Sequence, residues 1–242
     1  MTSSSTRLLS IKRQVRAAVA TLTIIGGVSA AATGTANAAT PACAVGGAVC
    51  ISVFSSELGT YDHPNFVEAV LDGGGANVGQ PVGLKAASRF DSSEDIRPAV
   101  PAGTAGTISD FYAAGLASAE ANRHYGSLHA VQQRYAPFGV ETELCVGLAR
   151  VARQNEGLTL QACNDATTVW IVDAVPRTEL GYFPIINATT TDFRRPFAMH
   201  LPRNEVASDR PLQMQARRLQ FLTGEKTLPA RQLWGAVFGV LD

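Results

Sequence analysis

Leu144–Asp173 reads LCVGLARVARQNEGLTLQACNDATTVWIVD. Three short apolar runs lie in it, LCVGLA (Leu144–Ala149), GLTLQAC (Gly157–Cys163) and TVWIVD (Thr168–Asp173). The stretches between them carry Arg, Gln, Asn and Asp. Runs of this length bounded by turn-forming residues read as β-strands, and alternation within them assigns one face to a core. The third run is anchored by a bulky residue, Trp170. Such a unit cannot bury its apolar face alone, so partners for it are expected elsewhere in the chain.

Two further stretches repeat its order of features. FVEAV at Phe66, LCVGL at Leu144 and FAMHL at Phe197 are opening runs. QPVGL (Gln80–Leu84), EGLTL (Glu156–Leu160) and RPLQM (Arg210–Met214) follow as middle runs, each a polar residue, a Gly or Pro, then two apolar residues flanking a third. Val82, Leu158 and Leu212 fall 16, 14 and 15 residues after the opening residue. EDI, TVW and QLW then close the units on Ile96, Trp170 and Trp234, with gaps of 14, 12 and 22 residues from the middle run. Three such units around a pseudo-threefold axis can share one core. The expectation is an all-β fold, a β-trefoil with three pseudo-repeats and enlarged loops, with Ile96, Trp170 and Trp234 as equivalent core anchors. An ordinary β-sandwich is the competing reading.

Further strands are expected at Val49–Phe54, Pro196–Leu201 and Pro211–Ala216. Asp110–Tyr135 is ambiguous. Its alanines suit a helix, whereas Gly115, Gly126 and the aromatic spacing suit strands with a loop, which is the reading taken. Candidate loop insertions are Arg97–Gly106, Ser109–Gln133, Ala174–Asp192 and Arg217–Ala230. LDGGGANVG (Leu71–Gly79) reads as a turn.

On these residues, Leu144–Asp173 resembles one repeat of the ricin-type β-trefoil (ricin B-like) lectins. Cys145 and Cys163 match the cysteines that this family joins. Thr168-Val169-Trp170 stands where its Gln-x-Trp signature belongs, Gln232-Leu233-Trp234 carries the signature intact, and SSEDI (Ser92–Ile96) is a degenerate version. The likeness covers most of Phe66–Phe238. The chain is also similar to small secreted actinobacterial proteins of unassigned function. The resemblance implies carbohydrate binding through an Asp, an aromatic ring and an Asn per repeat. Carboxylate and amide chelate adjacent sugar hydroxyls, and the ring covers the C–H face of the pyranose. Those positions fall on Gly147, Gln161 and Thr167 in the second repeat, on His200, Gln215 and Arg231 in the third, and near Ala69, Lys85 and Ser93 in the first. No repeat keeps the set. Any sugar site is therefore expected to use non-standard residues, with His200, Gln215, Arg231 and Gln232 as candidates.

The first 38 residues are expected to be a secretory signal peptide. Arg7, Lys12, Arg13 and Arg16 form a basic head, Ala17–Ala31 an apolar stretch, and Ala36-Asn37-Ala38 an A-x-A exit. The apolar stretch is short for a membrane span. Residues 39–65 would then hold an N-terminal disulfide loop and the first strand, and 66–242 the trefoil domain. Removing the leader takes four of the 20 Lys+Arg and none of the 20 Asp+Glu, leaving about −4. A mildly acidic surface gives no general electrostatic grip on nucleic acid or anionic membrane. The basic pairs Arg194-Arg195 and Arg217-Arg218 are read as ordinary solvated charge.

All four cysteines, Cys43, Cys50, Cys145 and Cys163, lie beyond that cleavage site. An even count in an exported chain predicts two disulfides. Of three pairings, Cys43–Cys50 with Cys145–Cys163 closes the shortest loops. The spacings match no zinc pattern, and no metal or cofactor is expected.

No G-x-S-x-G, H-E-x-x-H, P-loop or G-x-G-x-x-G motif occurs. His63, His124, His129 and His200 are scattered. The chain is read as a monomeric, secreted, non-enzymatic binding protein whose partner is an extracellular glycan. The alternative is an extracellular protein-binding module, for instance a hydrolase inhibitor. In that reading Phe111, Tyr112, Tyr125, Tyr182 and Phe183, on loops, are the contact candidates.

Overall fold

In this computed structural model, residues 51–71, 76–87, 96–137, 140–172, 181–202, 212–220 and 228–238 are described. The chain divides into Met1–Thr35 and Ala36–Asp242, and every described residue belongs to the second unit. The segment 1–38 expected to be a leader, Cys43 and Cys50 lie outside the described residues.

The fold is mostly β. Among the described residues, thirteen strands follow one another as β1 (Ile51–Ser55), β2 (Phe66–Val70), β3 (Val82–Ala86), β4 (Ile96–Ala99), β5 (Ala130–Tyr135), β6 (Leu144–Leu148), β7 (Glu156–Ala162), β8 (Val169–Ile171), β9 (Ile186–Asn187), β10 (Phe197–His200), β11 (Leu212–Gln213), β12 (Gln215–Arg218) and β13 (Trp234–Phe238). The opening runs form β2, β6 and β10. The middle runs form β3, β7 and the β11–β12 pair, and the anchors sit on β4, β8 and β13.

Each opening strand forms an antiparallel hairpin with its middle strand: β2 with β3, β6 with β7, and β10 with β12. The remaining strands are linked laterally. β4 pairs with β5, β5 with β8, and β8 with β9. The bridge between Phe183 and Trp234 carries this array to β13, which pairs along its length with β1. β1 in turn lies against β4. The middle strands also meet one another. β3 pairs with β11, β7 with β12, and Pro81 bridges to Thr159.

The expected strand Pro211–Ala216 is divided at Met214. Its N–H donates to Val82 on β3 (3.1 Å) and its carbonyl accepts from Leu158 on β7 (2.8 Å). The chain there leaves one sheet for the other. Gly83 permits the crossing, because a Cβ on it would lie 2.2 Å from the Leu212 carbonyl oxygen.

Period-2 alternation divides the core between two faces. Ile96, Trp170 and Trp234 are buried together with Val82, Leu84, Val146, Leu148, Leu158, Leu160, Met199 and Met214. Val169 and Ile171, flanking Trp170, point the other way into a second cluster. The indole nitrogens are satisfied inside the core. Trp170 Nε1 donates to the Val146 carbonyl (2.8 Å), and Trp234 Nε1 to that of Met199 (3.2 Å). Both acceptors are the third residue of an opening strand. The Cys145–Cys163 disulfide ties β6 to the end of the β7 segment.

Asp110–Tyr135 corrects the strand reading. It holds two short helices, α1 (Ile108–Ala113) and α2 (Ala119–Tyr125), before β5 begins. The Thr107 and Asp110 side chains close a reciprocal capping box, and Ser118 caps α2 by accepting from the Ala121 N–H (3.0 Å). Gly115, with φ +77°, follows the end of α1, and Gly126 is the C-cap of α2. The glycines that argued against helix are the residues that end the helices. Ile108 and Phe111 seat α1 on the second cluster. The segment 109–133 is therefore not a plain loop, and β4, β9 and β12 likewise occupy parts of the other expected insertions. Among the described residues no helix is long and apolar enough to cross a membrane.

Candidate functional site

The third-repeat positions singled out from sequence converge. Antiparallel register places His200, at the end of β10, opposite Gln215, at the start of β12. Arg217 lies one strand repeat further along, and its Nη1 reaches His200 Nε2 at 3.2 Å. Arg231 is brought alongside because its carbonyl accepts from the Leu201 N–H (2.9 Å). Its Nε lies 4.0 Å from Glu57 Oε1.

His200 is buried, while Gln215, Arg217, Arg231 and Glu57 are half-buried at its edge. Burial, followed by the nearby charges of Arg217 and Arg231, pulls the His200 pKa down to about 4. The ring is thus neutral at physiological pH. With Nε2 accepting from a guanidinium, the proton is assigned to Nδ1. His200 Nδ1 and Arg217 Nε are both buried and have no hydrogen-bond partner among the described residues. The cluster therefore carries two unspent buried donors, one of them within the Arg217 guanidinium, with the Arg231 guanidinium alongside, an arrangement suited to acceptor-rich or anionic groups.

Gln232 is placed differently. It is fully buried, its Nε2 donates to the Arg218 carbonyl (3.0 Å), and its Oε1 accepts from the Gln220 N–H (2.7 Å). Its amide fastens the chain after β12 to the turn before Trp234.

In the second repeat, Gly147, Gln161 and Thr167 also come together. A Cβ on Gly147 would lie 2.9 Å from Thr168 Cγ2, 3.2 Å from the Thr167 carbonyl oxygen and 3.3 Å from Gln161 Cγ. No space for a carboxylate exists there. In the first repeat Ala69 and Lys85 lie on β2 and β3, and Ser93 falls outside the described residues.

Two groups escaped the sequence reading. Arg217-Arg218 is not simply solvated charge, since Arg217 engages His200 and Arg218 bridges to Asp192 and lies 4.9 Å over the Phe197 ring. Glu68 on β2 is buried, and desolvation pushes its pKa up to about 8. Alternation in FVEAV contained that signal, because Glu68 shares the inward face of Phe66 and Val70. Of the loop aromatics, Phe111 belongs to the core and Tyr112 is exposed. Tyr125 donates to the Phe193 carbonyl (3.3 Å), Tyr182 packs on Tyr61, and Phe183 pairs with Trp234. Among the described residues no group of three His, Cys, Asp or Glu could hold a metal ion.

No family model matches the chain, and neither does any curated protein. Among solved structures it is similar to the Rhizoctonia solani agglutinin (14% identity, TM-score 0.44, 78% of this chain and 95% of that one). It is also similar to an SDF2-like protein from Arabidopsis thaliana (12% identity, TM-score 0.42, 81% and 95%). A third similarity is to a mosquitocidal holotoxin (12% identity, TM-score 0.42), with 78% of this chain spanning 16% of that one.

Proposed function

We propose that this chain is an exported, monomeric, non-enzymatic binding protein on a ricin-type β-trefoil scaffold, and that its ligand is carbohydrate. The scaffold reading is supported by the recurrence of opening hairpin and closing anchor, and by the matching bonds Trp170–Val146 and Trp234–Met199. The observation that carries the ligand reading is the convergence of His200, Gln215, Arg217 and Arg231 at the third-repeat sugar position.

The site lacks the aromatic platform and the carboxylate. Recognition would rest on the donors of the half-buried side chains at the edge of the cluster, the Gln215 amide and the Arg217 and Arg231 guanidinium groups, over the buried His200. Such a set favours saccharides bearing a carboxylate or sulfate over neutral ones, because charge-assisted hydrogen bonds are the stronger kind. A glycan array containing uronic-acid, sialylated, sulfated and neutral glycans tests this. Binding to acidic members, weakened about ten- to a hundredfold by Arg217→Gln, is the expected result, corresponding to one charge-assisted bond of about 1.5–3 kcal/mol. Silence across the array and in a polysaccharide pull-down overturns it.

A further inference from the structure

A cavity of about 130 Å³ lies between β1, β2, β4, β5 and β13, away from the His200 cluster. Its floor is formed by Val53, Ile96 and Ile185, all buried, and its rim by Val131, Val172 and Phe183, all half-buried. The walls are thus apolar, with two exceptions. Glu68 and Gln133 both line the space, both are at least nine-tenths buried, and Oε1 of each has no hydrogen-bond partner among the described residues.

The void has a local cause. In the other two units an indole, Trp170 or Trp234, fills the inner face and bonds to the third residue of the opening strand. In the first unit the smaller Ile96 takes the anchor position, and the third residue of the opening strand is Glu68 in place of Val146 or Met199. Two substitutions coincide: one leaves space, the other lines that space with a carboxyl. An unpartnered polar group in the interior is destabilising. A ligand donating to it would recover that cost. An apolar cavity of roughly 150 Å³ accepts a benzene-sized molecule.

We propose that this cavity binds a small amphipathic amine, its aryl or short alkyl body against Ile96, Ile185 and Phe183 and its ammonium donating to Glu68 and Gln133. Two convergent acceptors call for a donor-only head, and an ammonium is the small head with no acceptor of its own. Glu68 is held mostly protonated at neutral pH by its burial. Binding of the cation therefore releases the carboxyl proton to solvent, and the bound state is an ion pair within low-dielectric walls.

Titration of the full chain with benzylamine, benzyl alcohol and toluene tests the proposal by calorimetry in two buffers of different ionisation enthalpy. Saturable benzylamine binding with proton release is expected, at least tenfold tighter than toluene. Glu68→Gln should weaken benzylamine about tenfold or more and leave toluene unchanged. Ile96→Trp, which fills the space, should abolish both. Equal affinity for benzylamine and toluene, benzylamine binding indifferent to Glu68→Gln, or no binding of any probe overturns it. Glycan binding by Glu68→Gln should equal that of the parent, so this result and the sugar reading fail separately.

Discussion

Arg217 Nη1 lies 3.2 Å from His200 Nε2, a contact that a protonated imidazole could not make as an acceptor. The pair fixes a neutral histidine beside two arginines. Protonating it would bring a third positive charge into a buried place. The contact thus ties the charge state of one ring to the integrity of the β10–β12 hairpin.

A pH dependence follows from His200. Its pKa is lowered from 6.5 to about 4 in the fold, so the unfolded chain binds the proton first on acidification. This contribution to stability is fully present above pH 6.5 and is lost as pH falls to about 4, at up to about 1.4 kcal/mol per pH unit. His200→Gln should flatten that limb in denaturant titrations between pH 6.5 and 4. An unchanged limb would mean that the imidazole is solvated.

Glu68 acts in the opposite direction. Its pKa is raised from 4.5 to about 8 by desolvation. The folded state holds a proton that the unfolded chain has released, so stability is greatest below pH 4.5 and declines as pH rises to about 8. Between pH 4.5 and 6.5 the two residues oppose one another and the profile should be nearly level. From pH 6.5 to 8 only the Glu68 decline remains. Glu68→Gln should remove it, raising the midpoint of unfolding at pH 8 relative to the parent.

The indoles support a different experiment. Trp170 and Trp234 are fully buried, and each satisfies a strand carbonyl. Replacing either with Ala should cost about 3–5 kcal/mol through cavity formation. Replacement with Phe keeps most of the volume but strands the Val146 or Met199 carbonyl, a loss of about 1–3 kcal/mol. Chemical denaturation of the four variants checks both figures. Similar losses at the two sites would support their equivalence, and a loss below 1 kcal/mol for either alanine variant would remove that tryptophan as an anchor.

These anchors were legible because bulky residues recurring after strand-like runs mark what one unit must bury. The opening and middle runs were legible for the same reason, since alternation survives in FVEAV, LCVGL and FAMH. The helices were not. Their capping residues, Thr107, Asp110 and Ser118, stand in the sequence, but a glycine that ends a helix reads the same as one that breaks it, and Gly115 and Gly126 lie at the ends of α1 and α2. His200 and Gln215 follow from the family resemblance of the third unit. Arg217 does not, because its approach to His200 depends on the β10–β12 register, which is set by pairing between segments distant in sequence and not by local pattern.

The disulfide offers a test of loop entropy. Cys145 and Cys163 are separated by 18 residues, and a closed loop of that size stabilises by about 3 kcal/mol in the chain-entropy model. The double variant Cys145→Ser/Cys163→Ser isolates this bond from the other two cysteines. It should lower the unfolding free energy by roughly that amount while keeping the β6–β7 register, as read by amide exchange. Loss of exchange protection throughout β6 and β7 would show that the bond is required to form the hairpin and not merely to stabilise it.

Placing an aspartate at Gly147 should be costly, and at His200 it should be tolerated. At Gly147 a Cβ already falls 2.9 Å from Thr168 Cγ2 and 3.2 Å from the Thr167 carbonyl oxygen, so Gly147→Asp forces a backbone shift and sets a carboxylate beside that carbonyl. Overpacking of this kind costs about 1–3 kcal/mol, and desolvation of the carboxylate adds to it. At the corresponding third-repeat position His200→Asp removes volume and places an anion next to Arg217 and Arg231, which can pair with it. Thermal unfolding should show Gly147→Asp well below the parent and His200→Asp close to it at pH 7. On the array, His200→Asp should lose acidic glycans, because its carboxylate occupies both guanidinium groups. Retained binding of acidic glycans by His200→Asp would place the ligand away from this cluster.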